Sequence, residues 1–347
     1  MIMKAMILKE VSSFKNNTAP LHLADIPVPV PQSGEVLIKV SACGVCHTEL
    51  DEIEGRTPPP YFPAVLGHQV VGTIAASGGP HASRFTAGDR VGVGWIHSAC
   101  GHCRHCLAGH ENICEKFQAT GRDAPGGYAE YMTVHEMFAY PIPGIFSDIE
   151  AAPLLCAGAI GYRSLKLTGL LNGENLGLTG FGASAHLVLK LAHHLFPDSQ
   201  IYVFARSKSE QAFARKLGAV WAGDTESASP EKLHAIIETT PAWKPPVEAL
   251  KNLESGGRLV INAIRKENRD ASYLLNLDYP THLWLEKEIK SVANVTRNDI
   301  SEFLTLAAAI PIKSAVTTYP LENANQALAD LKNKSIKGAK VLTITEK

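Results

Sequence analysis

Seven cysteines constrain this chain more than any other feature of its 347 residues. Four of them follow the spacing C-x2-C-x2-C-x7-C within one short loop: Cys100, Cys103, Cys106 and Cys114. Such spacing lets four thiolates converge on one tetrahedral cation, which is how structural zinc is held. Four thiolates fill the coordination sphere, so the pattern predicts a closed zinc site that takes no part in chemistry.

The loop around these cysteines, at about residues 95–116, is too short to build an apolar core of its own. Metal bonds therefore replace a core in holding it. Three histidines of the loop are alternative ligands: His102, His105 and His110. Because four thiolates already complete the site, we interpret these histidines as solvated side chains.

The other three cysteines predict a second metal site of a different kind. Cys43 and Cys46 lie in CGVCHTE and Cys156 lies in LLCAG, while His68 falls between them in sequence, in LGHQ. Two thiolates and one imidazole would leave a fourth position open, as catalytic zinc requires. On spacing alone either Cys43 or Cys46 can supply the first thiolate, and the pair is also a C-x2-C typical of redox sites.

Composition and charge exclude several classes of partner. The formal net charge is −1 and the chain has no long basic run, so it has little attraction for nucleic acid or for anionic lipid. It has no uncharged apolar stretch of the roughly 20 residues that span a bilayer. The N-terminal sequence lacks the apolar core of a signal peptide, and free thiols suit a reducing compartment, so we expect a cytoplasmic protein.

The pattern of apolar residues predicts an α/β protein with three segments. Residues 1–150 contain short β-branched runs between Gly and Pro, which is typical of barrel-like β structure. Residues 151–290 alternate strands with helices, beginning with a strand at 175–179 and a helix at 184–195, and predict a doubly wound parallel sheet. Later in this segment a helix is predicted at 247–253 and a strand at 258–263. Residues 291–347 end in a strand at 341–345 and are expected to rejoin the first domain.

The first strand of the alternating segment runs into Gly180-Phe181-Gly182-Ala183-Ser184-Ala185, a G-x-G-x-x-A dinucleotide fingerprint. Gly180 allows the tight turn, Gly182 lets the backbone approach a pyrophosphate, and Ala185 allows close packing of helix on strand. The alternative is a glycine-rich turn that binds nothing. The flanking strand and helix favour a nicotinamide coenzyme.

The end of the second strand, Val203-Phe204-Ala205-Arg206-Ser207, carries no carboxylate where NAD-binding proteins place one against the ribose. Arg206 offers a planar cation suited to a phosphate, and Ser207 offers a hydroxyl donor. We therefore expect NADP(H) to be favoured, with NAD(H) and a solvent-facing Arg206 as the alternatives.

These motifs together resemble those of the zinc-dependent alcohol dehydrogenases of the medium-chain dehydrogenase/reductase (MDR) superfamily. The matching pieces, in family order, are CGVCHTE, GHQVVG, GDRVG, the four-cysteine loop, GGYAEY, APLLCAG and GFGASA. The resemblance implies a GroES-like β-barrel catalytic domain and a Rossmann coenzyme domain. It implies an enzyme that interconverts alcohols and aldehydes or ketones, with two Zn²⁺ per chain.

The resemblance also implies roles for individual residues. Cys46, His68 and Cys156 would hold the catalytic zinc, which would act as a Lewis acid, and Cys43 would be a small buried residue. Thr48 would relay the proton of the alcohol. His47 would supply a cation to the coenzyme pyrophosphate.

Three residues depart from the family pattern near the catalytic zinc. Gln69 replaces a glutamate that is proposed to assist exchange of the fourth ligand. Glu49 replaces an aspartate that orients the ligating histidine, and it is one methylene longer. Asp51 replaces the histidine that ends the proton relay in many relatives, so the last proton would pass to water or to Asp51.

Two apolar side chains are candidates for the substrate pocket. Trp95 matches a position that narrows the pocket in some members of the family, and Ile53 would complete an apolar wall suited to small primary alcohols and aldehydes. The alternative for Trp95 is a packing role in the barrel wall. The specific substrate does not follow from these residues.

Two other functions share this fold and are the alternatives to the dehydrogenase. A zinc-free MDR reductase acting on quinones or enoyl groups would lack the three ligands, and a non-catalytic NADP-binding protein would have lost its catalytic groups. The intact ligand set favours the dehydrogenase over both. By resemblance we also expect a homodimer or homotetramer, paired through an edge strand near residues 283–294.

Overall fold

The structure is a computed structural model that describes residues 1–79, 83–182, 184–312, 315–333 and 338–344. The chain divides into two compact units. Unit 1 consists of residues 1–156 and 295–347, and unit 2 consists of residues 157–294. The sequence predicted boundaries after residues 150 and 290. Ala183 of the fingerprint and Thr345 of the predicted last strand lie outside the described residues.

The strands are, in chain order, β1 Ile2–Leu8, β2 Leu21–Pro27, β3 Glu35–Val45, β4 Ala64–Val65, β5 Gln69–Ser77, β6 Arg90–Val93, β7 Ile96–Ser98, β8 Gln118–Ala119, β9 Tyr131–His135, β10 Ala139–Pro141, β11 Leu176–Thr179, β12 Ile201–Phe204, β13 Trp221–Gly223, β14 Leu233–Glu238, β15 Leu253–Ile261, β16 Glu288–Ser291, β17 Val316–Pro320 and β18 Ala339–Thr343.

The α-helices are α1 His47–Ile53, α2 Arg104–Leu107, α3 Asp148–Ala151, α4 Ala157–Thr168, α5 Ala185–Leu195, α6 Lys208–Lys216, α7 Lys244–Leu250, α8 Tyr279–His282, α9 Arg297–Ala309 and α10 Ala324–Asn333. Within the described ranges, none of these helices is both long enough and apolar enough to cross a membrane.

Unit 1 is built around β3, the longest strand of the described chain. On one edge β3 pairs with β5, and on the other it pairs first with β9 and then with β18, all antiparallel. Val36, Ile38 and Val40 are fully buried and alternate with less buried residues, as one face of a half-buried strand requires. The β1–β2–β4 sheet supplies further residues to the same apolar core, among them Met6 and Leu8.

Unit 2 contains a six-stranded sheet in the order β13–β12–β11–β14–β15–β16, and every neighbouring pair is parallel. This is the strand order of a doubly wound sheet, which places ligands outside the carboxyl ends of the strands where the order reverses, between β11 and β14. The predicted doubly wound parallel sheet is confirmed.

The structure corrects two element boundaries in unit 2. The helix predicted at 247–253 is α7, which begins at Lys244 and ends at Leu250. It begins before the predicted start because Pro245 and Pro246 fit the first helical turn, where no amide donor is needed. The strand predicted at 258–263 is β15, which begins at Leu253. The strand runs through the glycine pair at 256–257 with an irregular register.

Candidate active site

Cys46 lies at the junction between β3 and α1. The final residues of β3 are buried, and the chain leaves the sheet directly into the helix. The backbone N–H of Cys46 donates a hydrogen bond to Oε2 of Glu49, at 2.7 Å, which satisfies one of the free donors at the start of the helix. This contact fixes the backbone that carries the Cys46 sulfur.

His68 lies just before β5 and is almost completely buried. The preceding Gly67 has a φ of 97°, and a Cβ there would lie 2.4 Å from the ring of Tyr128, so no other residue fits. Nδ1 of His68 lies 2.6 Å from Oε1 of Glu49. A carboxylate at this nitrogen holds the ring so that Nε2 faces a metal. The extra methylene of Glu49 does not prevent the contact that the sequence left open.

Cys156 follows a single 3-10 turn, Ala152–Leu155, at the end of the first part of unit 1. Its sulfur lies 3.3 Å from Nε2 of His68. The ligand atoms of Cys46, His68 and Cys156 all lie within 4.8 Å of one another. A sulfur and a nitrogen ligand of one tetrahedral zinc lie about 3.5 Å apart, so this donor set fits one zinc ion.

The two cysteines of CGVC have pKa values shifted in opposite directions. The hydrogen bond from the Cys156 thiol lowers the pKa of Cys46 well below its usual value and favours the thiolate, the form that binds metals. Burial raises the pKa of Cys43 well above its usual value, and Cys43 packs in the apolar core. Among the described residues, the cluster contains Cys46 and not Cys43.

The surrounding charges act on His68 as well. Burial opposes protonation of its ring, but the negative charges of Glu49 and Cys46 more than offset burial and raise the pKa of His68 well above its usual value. The same negative charges favour a metal cation, which takes the place of the proton on the ring when it binds.

The three other polar candidates of α1 lie in different surroundings. The Thr48 hydroxyl is 3.6 Å from the sulfur of Cys46, with only 9% of the residue exposed. His47, the first residue of the helix, is exposed. Asp51 is buried and accepts a hydrogen bond from Nε of Arg56, so it does not face solvent as a terminal proton acceptor would.

The two candidates for the substrate pocket lie in different surroundings. Trp95 is half-buried, with its ring 5.4 Å from that of Phe117 and the Arg122 guanidinium 5.3 Å above it. Ile53 is fully buried in the apolar core of unit 1. Contrary to the prediction, Ile53 therefore presents no surface to a substrate.

The sequence motifs do not single out Glu52, a third buried carboxyl of α1 besides Glu49 and Asp51. Burial raises its pKa well above the usual value, and neither of its oxygens has a hydrogen-bond partner among the residues that the structure describes. It lies one helical turn beyond Glu49, on the same face of α1. That three-residue spacing is the signal from which its burial could have been predicted.

The four cysteines of the loop form a second cluster, again with ligand atoms within 4.8 Å of one another. The sulfur of Cys100 lies 3.8 Å from that of Cys106 and 3.6 Å from that of Cys114. Sulfurs bound to one tetrahedral zinc lie about 3.8 Å apart, so these distances fit the ion. Of the described residues, no histidine joins the cluster.

The cysteine loop is tied to the rest of unit 1 through Glu111. Its Oε1 atom accepts hydrogen bonds from the backbone N–H of Arg297, at 2.6 Å, and from Nε of the same residue, at 3.0 Å. Arg297 begins α9, so the loop is held against the first turn of that helix. The contact also satisfies a helix N-terminal donor.

In unit 2 the fingerprint takes the expected position between β11 and α5. Gly180 has a φ of 80°, as the tight turn requires. An added Cβ on Gly182 would meet no heavy atom of the described chain within 4 Å, so a ligand has room to approach that backbone. Ala185 is 1% exposed in the first turn of α5. The arrangement fits a dinucleotide.

Arg206 and Ser207 follow β12, at the same carboxyl edge of the sheet. Arg206 is exposed. Ser207 is the N-cap of α6, and its hydroxyl oxygen accepts the N–H of Glu210 at 3.1 Å. The same hydroxyl lies 3.1 Å from that of Ser209, and either of the two can donate. Capping uses the Ser207 oxygen only as an acceptor, so it does not conflict with the predicted contact to a phosphate.

Comparison with known proteins identifies the family. Residues 32–144 match the model of the alcohol dehydrogenase GroES-like domain. A probable alcohol dehydrogenase, AdhA, of Mycobacterium tuberculosis (strain CDC 1551 / Oshkosh) is 41% identical over 94% of this chain and 94% of its own length. An alcohol dehydrogenase of Moraxella sp. (strain TAE123) is 33% identical over 99% of this chain and 100% of its own length.

Solved structures agree with these relatives. The acetophenone reductase of Geotrichum candidum NBRC 4597, solved in complex with NAD, superposes with a TM-score of 0.85 and 26% identity, over 99% of this chain and 97% of its own. The GroES-like domain and the Rossmann sheet predicted from the motifs are thereby confirmed. The chain is an oxidoreductase that belongs to the alcohol dehydrogenases of the MDR superfamily.

Proposed function

We propose that this protein is a zinc-dependent alcohol dehydrogenase that interconverts small alcohols and aldehydes or ketones, with NADP(H) favoured over NAD(H). The observation that carries the proposal is the convergence of Cys46, His68 and Cys156 within 4.8 Å of one another beside the Thr48 hydroxyl. Three protein ligands leave one coordination position of a tetrahedral ion open for substrate.

When bound, zinc would supply a Lewis acid and the nicotinamide would accept or donate hydride. The protein residues then have three tasks. Cys46, His68 and Cys156 hold the metal, Glu49 holds the His68 ring, and Thr48 carries the alcohol proton away from the reacting oxygen. The nearly complete burial of His68 and Glu49 limits water at the inner side of the site.

The experiment that tests this function is a panel of short aliphatic, branched and aromatic aldehydes, followed by absorbance at 340 nm with NADPH and with NADH. We expect reduction of at least one aldehyde class, loss of activity after zinc is removed by a chelator, and recovery on adding zinc. Activity that persists in zinc-free protein would contradict zinc dependence and would favour a zinc-free reductase.

Replacing Glu49 with Ala tests the support of His68. We expect zinc to bind about 10- to 100-fold more weakly, because loss of a carboxylate at the distal nitrogen frees the imidazole ring. Competition with a chromophoric chelator measures the affinity. Glu54→Gln, at the end of the same helix and paired with Arg56 and Lys332, is the matched control. Equal zinc affinity in Glu49→Ala and Glu54→Gln would refute the role of Glu49.

Coenzyme preference depends on Arg206 in this proposal. In Arg206→Ala, kcat/KM with NADPH should fall by about 10- to 100-fold, the effect of one lost hydrogen bond to a charged group, while kcat/KM with NADH should change by less than about threefold. Lys216→Ala, which removes an exposed cation from the far end of α6, should change neither value. A wild-type enzyme that prefers NADH would overturn the NADP assignment.

We also propose that the protein forms a homo-oligomer through β16. This strand is one of the two edges of the parallel sheet, and all four of its residues are exposed. Trp284 and Leu285, just before it, are 54% and 53% exposed. An unpaired edge beside apolar side chains favours pairing with a second copy. Light scattering that gives the mass of one chain would exclude this.

A further inference from the structure

The carboxyl edge of the parallel sheet carries a buried ion pair. Glu238, the last residue of β14, has a fully buried side chain, and the Lys266 side chain beyond β15 is 8% exposed. Charges buried to this extent are costly unless the surrounding groups satisfy them. None of the motifs of this chain includes either residue, so the pair requires a separate explanation.

The contacts of the pair close one loop, residues 239–242. The Lys266 ammonium donates to Oε2 of Glu238, to the backbone oxygen of Thr240 at 2.7 Å, and to that of Ala242 at 3.2 Å. Oε1 of Glu238 accepts hydrogen bonds from the backbone N–H of Thr240, at 2.6 Å, and from its hydroxyl. All three ammonium protons and both carboxylate oxygens therefore take part in hydrogen bonds that hold the loop after β14.

Backbone contacts extend the same connection. The N–H of Asn262 donates to the carbonyl of Glu238, and the N–H of Glu267 donates to the carbonyl of Pro241, each at 2.7 Å. Two backbone hydrogen bonds therefore join the segment after β14 to the segment after β15. Lys266 directly precedes Glu267, the donor of the second of these bonds. Removal of Lys266 would take away the ammonium contacts to Thr240 and Ala242 and leave the loop 239–242 held by its backbone contacts, by Glu238 and by the Thr239 hydroxyl.

The closed loop lies directly against the fingerprint. The N–H and the hydroxyl of Thr239 both donate to the carbonyl of Thr179, at 3.0 and 3.1 Å. A Cβ added to Gly180 would lie 2.8 Å from Oγ1 of Thr239 and 2.8 Å from Cγ2 of Thr240. Because β11 and β14 meet where the strand order reverses, this loop borders the crevice in which a doubly wound sheet binds its ligand.

We propose that Lys266 and Glu238 are positioning residues for the nicotinamide coenzyme: their ion pair holds the loop 239–242 against Gly180 and so preforms one wall of the coenzyme crevice. The inference rests on the proposed function, since it requires that unit 2 bind NADP(H) or NAD(H). A wall that is already ordered lowers the entropic cost of binding. A wall that must be ordered by the coenzyme weakens binding without changing any direct contact.

The test compares Lys266→Met, Glu238→Gln and the double variant with wild-type protein. The dissociation constant for NADPH is measured by fluorescence titration, well below the unfolding temperature of each variant. We expect about tenfold weaker NADPH binding in Lys266→Met, and binding closer to wild type in the neutral double variant, since contacting residues in one network are coupled to about this extent. KM for NADPH should rise while kcat at saturating NADPH is retained.

Lys251→Met is the matched control, because Lys251 pairs with Glu248 in the same unit but does not touch the loop 239–242. It should bind NADPH like the wild type. The inference would be overturned if both single variants, Lys266→Met and Glu238→Gln, had a lower unfolding temperature but bound NADPH normally. The ion pair would then have a purely structural role. If Lys266→Met does not fold, Glu238→Gln decides alone, with at least about threefold weaker binding expected. Wild-type protein that binds neither coenzyme would instead refute the proposed function, and the inference with it.

Discussion

Replacing Cys46 with Ser should lower turnover by at least about 10³-fold, because a neutral hydroxyl is a poor ligand and the Lewis acid is lost with the metal. Zinc content should fall by one ion per chain. The unfolding temperature and the NADPH dissociation constant should change little, since the cysteine loop and the fingerprint lie in other parts of the chain. Turnover, metal analysis and coenzyme titration on the same preparation measure all three.

Cys43→Ala is the matched control for this variant. Cys43 lies three residues earlier, is fully buried, and packs in the core of unit 1. It should retain both zinc ions and most of the turnover, with a loss of stability on the order of 1 kcal/mol from the small cavity. Zinc lost from Cys43→Ala and kept in Cys46→Ser would reverse the assignment of the ligand.

Replacing Cys103 with Ser should have the largest effect on stability. Leu107 and Ile113 of the same loop are 76% and 44% exposed, so the loop has little apolar core to hold it once the metal is lost. We expect the loss of one zinc ion and a fall in unfolding temperature of at least about 5 °C, as a local loss of a few kcal/mol implies. Thermal unfolding followed by fluorescence, together with metal analysis, measures both.

His102→Ala is the control for the cysteine loop. His102 is exposed and its ring lies outside the cluster of four sulfurs, so this variant should keep the zinc and the stability of the wild type. A His102→Ala protein that loses zinc would show that a histidine is a ligand. A Cys103→Ser protein with normal zinc content and normal unfolding temperature would disprove the structural site.

Local patterns predicted the parts of the site that lie close together in sequence. The spacing from Cys100 to Cys114 brings four sulfurs together because one short loop carries all of them. The fingerprint places Gly180 and Gly182 between a strand and a helix, and the structure has both elements there. In each case the geometry depends on a few consecutive residues, and no distant contact is needed to specify it.

Contacts between distant segments could not be read in this way. The grouping of Cys46 with His68 and Cys156 was predicted from the resemblance to the family. Spacing alone left open whether Cys43 or Cys46 supplies the first thiolate. Ile53 was misplaced because helical position alone does not show which face packs on the core. Nothing in the sequence paired Glu238 with Lys266, although a glutamate directly after the apolar run at 235–237 signals a buried carboxylate at the carboxyl edge.

The predicted boundaries of β15 and α7 were wrong where the local preference of glycine or proline differs from the observed backbone structure. A glycine pair usually indicates a turn, yet β15 continues past residues 256–257. Its register against β14 jumps there from Leu253 to Arg258, and the N–H of Gly256 donates to the carbonyl of Leu285, before β16. The start of α7 was missed because two prolines look like a break, although the first helical turn accepts them. The error in β15 comes from tertiary contacts, which a short stretch of sequence does not contain. The error in α7 comes from the geometry of a helix start.

The most direct test of the catalytic zinc site is anomalous diffraction at the zinc absorption edge from crystals of the wild-type protein. We expect a peak bonded to the sulfurs of Cys46 and Cys156 at about 2.3 Å and to Nε2 of His68 at about 2.0 Å, with a second peak among the four sulfurs of the loop. A single peak in the loop, with no anomalous signal between Cys46, His68 and Cys156 in zinc-saturated protein, would contradict it.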